Sequence, residues 1–170
     1  MPITSVPQGW PYWTVNKTLL IPATQGDYDA VLNSASSYPV LNFANAVAKL
    51  ATHLMRVPDD FLTFVSVRAV WQTPDVGNNN LYWRLAAVYS ACAEGYVTHT
   101  DIPAYGVTAS GGADIKNCQE PANPLTLVSL ARGDTMGIIF NRDATNPADT
   151  IEDIVRLYGL EFNYIGEIGM

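Results

Sequence analysis

Short runs in which apolar and polar residues alternate, each closed by turn-forming residues, constrain this chain more than any other feature. From Leu62 to Gln72, Val65, Val67, Ala69 and Trp71 share one face with Thr63 in phase, while Ser66, Arg68 and Gln72 take the other. From Leu81 to Ala93 the aromatic and aliphatic residues occupy both faces, Leu81, Trp83, Leu85, Ala87 and Tyr89 on one and Tyr82, Arg84, Ala86, Val88 and Ser90 on the other. That pattern fits a strand covered on both sides. Between Arg132 and Tyr164, two β-branched and aromatic runs, Thr135 to Phe140 and Ile154 to Tyr164, flank a connection rich in Asn, Asp, Thr and Pro. This reads as strand, loop, strand, a hairpin closing one edge of a sheet. Arg142 and Asp143 end its first strand and Asp149 and Thr150 precede its second, placed to fix the loop through side-chain to backbone hydrogen bonds.

The remaining runs are shorter. Trp13 to Ile21, Tyr38 to Phe43, Tyr105 to Thr108 and Leu125 to Leu130 are further strand candidates. Residues 22–37 and most of Gly95 to Pro124 read as loops, and Pro74 to Asn80 as a hairpin-type connection. Ala44 to Arg56 satisfies two periods, since Val47, Leu50, Ala51 and Leu54 recur at helical spacing while Leu50, Thr52, Leu54 and Arg56 alternate. About eight short strands with no βαβ alternation favour an antiparallel sandwich or barrel. Residues 13–170 are expected to form a single domain of that kind, preceded by an arm at residues 1–12 with three prolines. Trp10, Tyr12 and Trp13 cluster where the arm meets the first strand and are its candidate partner-binding residues.

Charge and cysteine content narrow the function classes. Nine basic against sixteen acidic residues give a formal charge of -7, which repels phosphate backbones and anionic lipid, so neither nucleic acid nor membrane is an expected partner. The N-terminal residues carry no basic segment followed by an apolar one, and no run is long and apolar enough for a membrane helix, so synthesis in the cytoplasm is expected. Cys92, placed in a strand, and Cys118, placed in a loop, are too few for a disulfide framework or a four-thiolate zinc site. One buried and one partly exposed thiol are expected, with a bond between them as the alternative.

No phosphate loop, nucleophile elbow or carboxylate pair is present, so no catalytic residue, cofactor or metal is assigned. His53 and His99 lack partners at ligand spacing and read as structural or surface residues. Arg132-Gly133-Asp134 spells a cell-attachment tripeptide and equally an ordinary turn into a strand. Asp143, Asn146, Asp149 and Asp153 offer hard oxygens, but their spacing matches no calcium loop, and an Arg142 to aspartate pair is the simpler reading. Trp71, Trp83, Tyr82 and Tyr89 are core candidates before they are a sugar platform. For ligand binding, Tyr96 and Tyr105 in the 95–124 region are the alternative site.

Taken in order, VPDDF at Val57 to Phe61, VSVRAVW, NNNLYWRLAAVY, GDTMGIIFNRDA, the Ala148-Asp149-Thr150 triplet and LYGLEFNY resemble a jelly-roll domain recurrent in structural proteins of tailed bacteriophages, over residues 38–165. The resemblance implies a non-enzymatic β-sandwich on the virion surface, commonly trimeric, and makes Ala44 to Arg56 a strand. Its first functional implication is a capsid decoration or cement protein that binds major capsid subunits as a homo-oligomer through the arm. A receptor-binding or glycan-binding protein of a tail or fibre tip is the alternative, and a small single jelly-roll capsid protein the third.

Overall fold

The computed structural model describes residues 13–21, 25–26, 29–32 and 39–168. Among them there is no helix, and twelve strands make two six-stranded antiparallel sheets. The first sheet runs β10 (Asn117–Gln119), β6 (Phe61–Gln72), β12 (Val155–Ile168), β4 (Pro39–Phe43) and β3 (Asp29–Leu32), with β1 (Trp13–Ile21) also on β12. The second runs β2 (Gln25–Gly26), β5 (Ala48–Arg56), β11 (Thr135–Asp143), β7 (Asn80–Ser90) and β8 (His99–Asp101), with β9 (Gly106–Ala109) also on β7. From β4 to β7, and again from β10 to β12, each successive strand lies in the opposite sheet. The result is an all-β, jelly-roll-like sandwich.

Several local expectations change. The 132–164 stretch is no hairpin, because β11 and β12 are central strands of different sheets and residues 144–154 cross the sandwich between them. Pro74 to Asn80 likewise carries the chain from β6 in one sheet to β7 in the other. Alternation specifies which face of a strand is buried, and is silent on which sheet receives it. Leu125 to Leu130 is not a strand: Leu127 and Ser129 have φ of 44° and 74°, which breaks the extended run, while Leu125 and Leu127 plug the core from a loop. The segments read as loops contribute β2, β3, β8 and β10, so the strand count exceeds eight.

Ala44 to Arg56 contains strand β5, paired with β11 along its length, and its burial alternates through Ala51, His53 and Met55. His53 is fully buried, and its Nδ1 lies 3.2 Å from the Ile21 carbonyl; since a carbonyl only accepts, this nitrogen carries the hydrogen. Expected inward residues Val67, Ala69, Trp71, Trp83, Leu85 and Tyr89 are buried. Val65 is not, at 53% exposure, because the register with β12 slips there: Asn163 faces Ser66 and Tyr164 faces Phe64. This β-bulge turns Val65 out and brings Phe64 against Phe162. A second slip falls between Leu157 and Gly159, and Gly159 has φ +154° with the Ile21 carbonyl 3.0 Å from where a Cβ would stand. Glycine is what lets β1 end so close to β12.

The crossover after β11 is fixed by a buried ion pair. Arg142 and Asp149 have side chains 0% and 1% exposed, joined in a fork through Nε at 3.0 Å and Nη2 at 2.8 Å. The guanidinium also donates to the carbonyls of Phe43, Ile151 and Asp153. Asp149 accepts the Tyr82 amide, and Thr150 exchanges hydrogen bonds with Asn80 through its backbone and hydroxyl. Asp143 caps the turn by accepting from the Thr145 amide. Arg142, Asp143, Asp149 and Thr150 thus each hydrogen-bond within or across this crossover. Removing one member leaves a buried charge without its partner, so Arg142→Leu is expected to lower unfolding free energy by about 3–5 kcal/mol, measured by urea denaturation.

A second pair ties the other end of the sandwich. Lys17 on β1 bonds the Asp60 carboxylate, which also accepts the Tyr164 hydroxyl at 3.2 Å. The Lys17 hydrogen bond holds the Asp60 carboxyl below its ordinary 3.8 and raises the Lys17 ammonium. A carboxyl lowered by folding stabilises fully above its unfolded value, and the stabilisation is lost as pH falls through the lower folded value. Denaturation midpoints should therefore drop as pH falls below about 4, and Asp60→Asn should flatten that drop.

Candidate ligand-binding cleft

At the β8 end of the second sheet, the loops 91–98 and 124–130 close on each other. Asp101 organises the meeting: its Oδ2 accepts the Thr126 amide at 2.6 Å, the Thr126 hydroxyl at 3.0 Å and the Leu127 amide at 3.0 Å. The Tyr89 hydroxyl donates to the Val128 carbonyl. Burial, then Asp101 and Asp134, push the Tyr89 hydroxyl above its ordinary range, so it keeps its proton for that bond. With the Leu127 side chain buried, the loop has little freedom to relax its left-handed residues.

The space between is a cleft of about 420 Å3. Thr98, His99, Asp101, Thr126 and Ser129 line it, while Thr100, between His99 and Asp101 on β8 and opposite Val88, turns its side chain to the other face of the sheet. His99 stacks on Tyr89 with ring centroids 5.2 Å apart, and its Nε2 lies 3.8 Å from Glu94. Glu94 itself accepts the Ala91 amide at 2.9 Å, bracing the turn that follows β7. Hydroxyls that both donate and accept, beside one carboxylate and one imidazole, match a ligand dense in hydroxyl groups. No metal-holding group of three or more His, Cys, Asp or Glu occurs among the described residues.

The two aromatic residues singled out in the sequence part company. Tyr96, 82% exposed, stands in the turn after β7, two residues from the cleft-lining Thr98. Tyr105 precedes β9, which pairs with the opposite end of β7, and stacks on Tyr82 at 5.2 Å with the Arg84 guanidinium 4.5 Å over its ring. Burial raises its hydroxyl pKa and Arg84 opposes that shift. The cleft therefore takes the Tyr96 turn and leaves Tyr105 on the sheet face. Asp101, Thr126 and Ser129 escape sequence reading, because the contact that unites them spans 25 residues and no short motif encodes it.

Other sequence candidates have structural work. Arg132 forks onto Glu167 and donates to the Phe61 carbonyl, and Asp134 is 4% exposed and accepts the Ala131 amide, so the tripeptide is a turn. Asn146 and Asp153 each accept a nearby amide, from Ala148 and Ile154. Trp71 and Trp83 are wholly buried. Cys92 and Cys118 are both free and exposed, against the expected buried thiol, and their settings are reversed: β7 ends at Ser90 before the left-handed turn at Ala93, and Cys118 lies in β10. Trp13 begins β1 opposite Ile168; its side chain and the whole of Trp10 and Tyr12 fall outside the described residues, as does the arm.

No family model and no curated protein matches the chain. Among solved structures, it is similar to TmCBM61 in complex with β-1,4-galactotriose, at 9% identity and a TM-score of 0.38, covering 90% of this chain and 88% of that one. It is also similar to the bacteriophage CBA120 tailspike protein 4 enzymatically active domain, at 13% identity and a TM-score of 0.32. There the likeness covers 91% of this chain and only 19% of the other.

The left-handed Ser129 stores strain that glycine would not. Ser129→Gly is expected to raise unfolding free energy by about 1 kcal/mol, read as a higher urea midpoint, while removing one hydroxyl from the cleft.

Proposed function

We propose that this chain is a non-catalytic, glycan-recognising module of a bacteriophage virion, of the type carried at a tail or fibre tip, with its ligand in the cleft between the 91–98 turn and the 124–130 loop. The observation that carries the binding role is the cleft itself: Thr98, Thr126, Ser129, His99 and Asp101 line it, on a wall pinned by Asp101 and Tyr89. Such a wall is ordered before ligand arrives, which spares the ligand the entropy of ordering it. Tyr96, exposed in the turn two residues before Thr98, supplies an aromatic face for a sugar ring.

The virion setting rests on the ordered sequence segments that resemble phage jelly-roll proteins. Capsid decoration, the first implication of that resemblance, depended on Trp10, Tyr12 and Trp13, whose side chains lie outside the described residues. The cleft is what moves the proposal to ligand recognition.

The test is a screen of the purified chain against immobilised bacterial surface glycans, followed by calorimetry on any that bind. Thr98→Trp, at an exposed position in the cleft wall, should abolish binding without changing the unfolding midpoint, and Tyr96→Ala should weaken it several-fold. Absence of binding across the screen would overturn the recognition role, and consumption of a bound glycan would overturn the non-catalytic one.

A further inference from the structure

The outward face of the second sheet has an unusual surface for a chain with sixteen carboxylates. Residues that alternate with the core positions of β5, β11 and β7 point away from the sandwich, and Leu54, Ile139 and Val88 are among them. Leu54 is 55% exposed, and Val107 on β9, opposite Tyr82, is 40% exposed. Four strands at sheet spacing and nine residues of strand length span roughly 20 by 30 Å, or about 600 Å2. A standard interface takes roughly 800 Å2 from each partner, so this face supplies most of one.

Its charges are few and complementary. Five of the six arginines pair with a carboxylate: Arg56 with Asp59, Arg68 with Glu161, Arg132 with Glu167, Arg142 with Asp149 and Arg156 with Asp114. Arg84, in the middle of this face, has no carboxylate partner among the described residues, and its Nε is buried without a hydrogen bond. Asp143, outward on β11, spends Oδ1 on Thr145. Both halves of an ion pair thus sit on one surface without meeting within it.

We infer that this sheet face is an interface between copies of this chain, in which Arg84 of one copy meets Asp143 of the next. A surface that carries both the cation and the anion is complementary to itself, which is what association of identical subunits requires. An unrelated partner would need only one of the two. The Leu54 to Val107 stretch supplies the apolar area, and the Arg84 to Asp143 contact fixes the register. This inference stands apart from the glycan cleft, which opens on the inward side of edge strand β8, where His99 and Asp101 lie.

Light scattering on the full chain tests it. The wild-type protein should have a mass of two or more times 18.5 kDa at micromolar concentration, and Leu54→Glu with Val107→Glu should reduce it to 18.5 kDa with the circular dichroism of the folded chain intact. Leu20→Glu, an exposed apolar position on the first sheet, should leave the mass unchanged. Arg84→Glu or Asp143→Arg alone should weaken association at least about tenfold, and the two together should restore it. A monomeric wild type, an assembly indifferent to Leu54→Glu with Val107→Glu, or a charge swap that fails to rescue would each overturn the interface.

Discussion

Much of this structure depends on where five N–H groups of one guanidinium go. Arg142 enters the sandwich from a strand whose other inward residues, Met136, Ile138 and Phe140, are wholly buried. An arginine there is costly unless every donor is answered, and the answers come from three separate places: the Asp149 carboxylate, the end of β4 at Phe43, and the crossover backbone at Ile151 and Asp153. Each acceptor is correctly placed only when the crossover, β4 and β11 are all in position. A hydrophobic residue of similar size would tolerate many packings, whereas this one satisfies its donors in a single arrangement.

That arrangement is legible in the sequence as residues but not as topology. Arg142, Asp143, Asp149 and Thr150 are recognisable as loop-fixing side chains, and the alternation through β6 and β7 marks which side chains enter the core. What alternation does not carry is the sheet each strand joins, so two connections that read as hairpins cross the sandwich instead. Bulges are similarly silent: Val65 is in phase with Val67 on paper, and a single slipped pair against β12 turns it to solvent. Leu125 to Leu130 fails for a different reason. Its leucines are apolar because the loop plugs the core, and an apolar plug has the composition of a strand.

The cleft was hidden for the reason that makes it a cleft. Its walls come from β8, the preceding turn and a loop some 25 residues later, joined by one aspartate. Sequence reading singles out Tyr96 and Tyr105 because aromatics are conspicuous, and neither is among the residues that line the cleft. The small hydroxyl residues that line it are common everywhere in the chain, and only their convergence distinguishes them.

Strand β12 has a further consequence. It pairs with β6 along most of its length on one side and with β4 and β1 on the other, so the middle of the first sheet is supplied by a strand made after all its neighbours. Until residues 155–168 have emerged from the ribosome, β1, β4 and β6 have no common neighbour, and the apolar faces meant for the core remain uncovered. Folding therefore waits on the end of this segment and proceeds through contacts distant in sequence, a slow route that leaves the nascent chain open to chaperone capture while it waits.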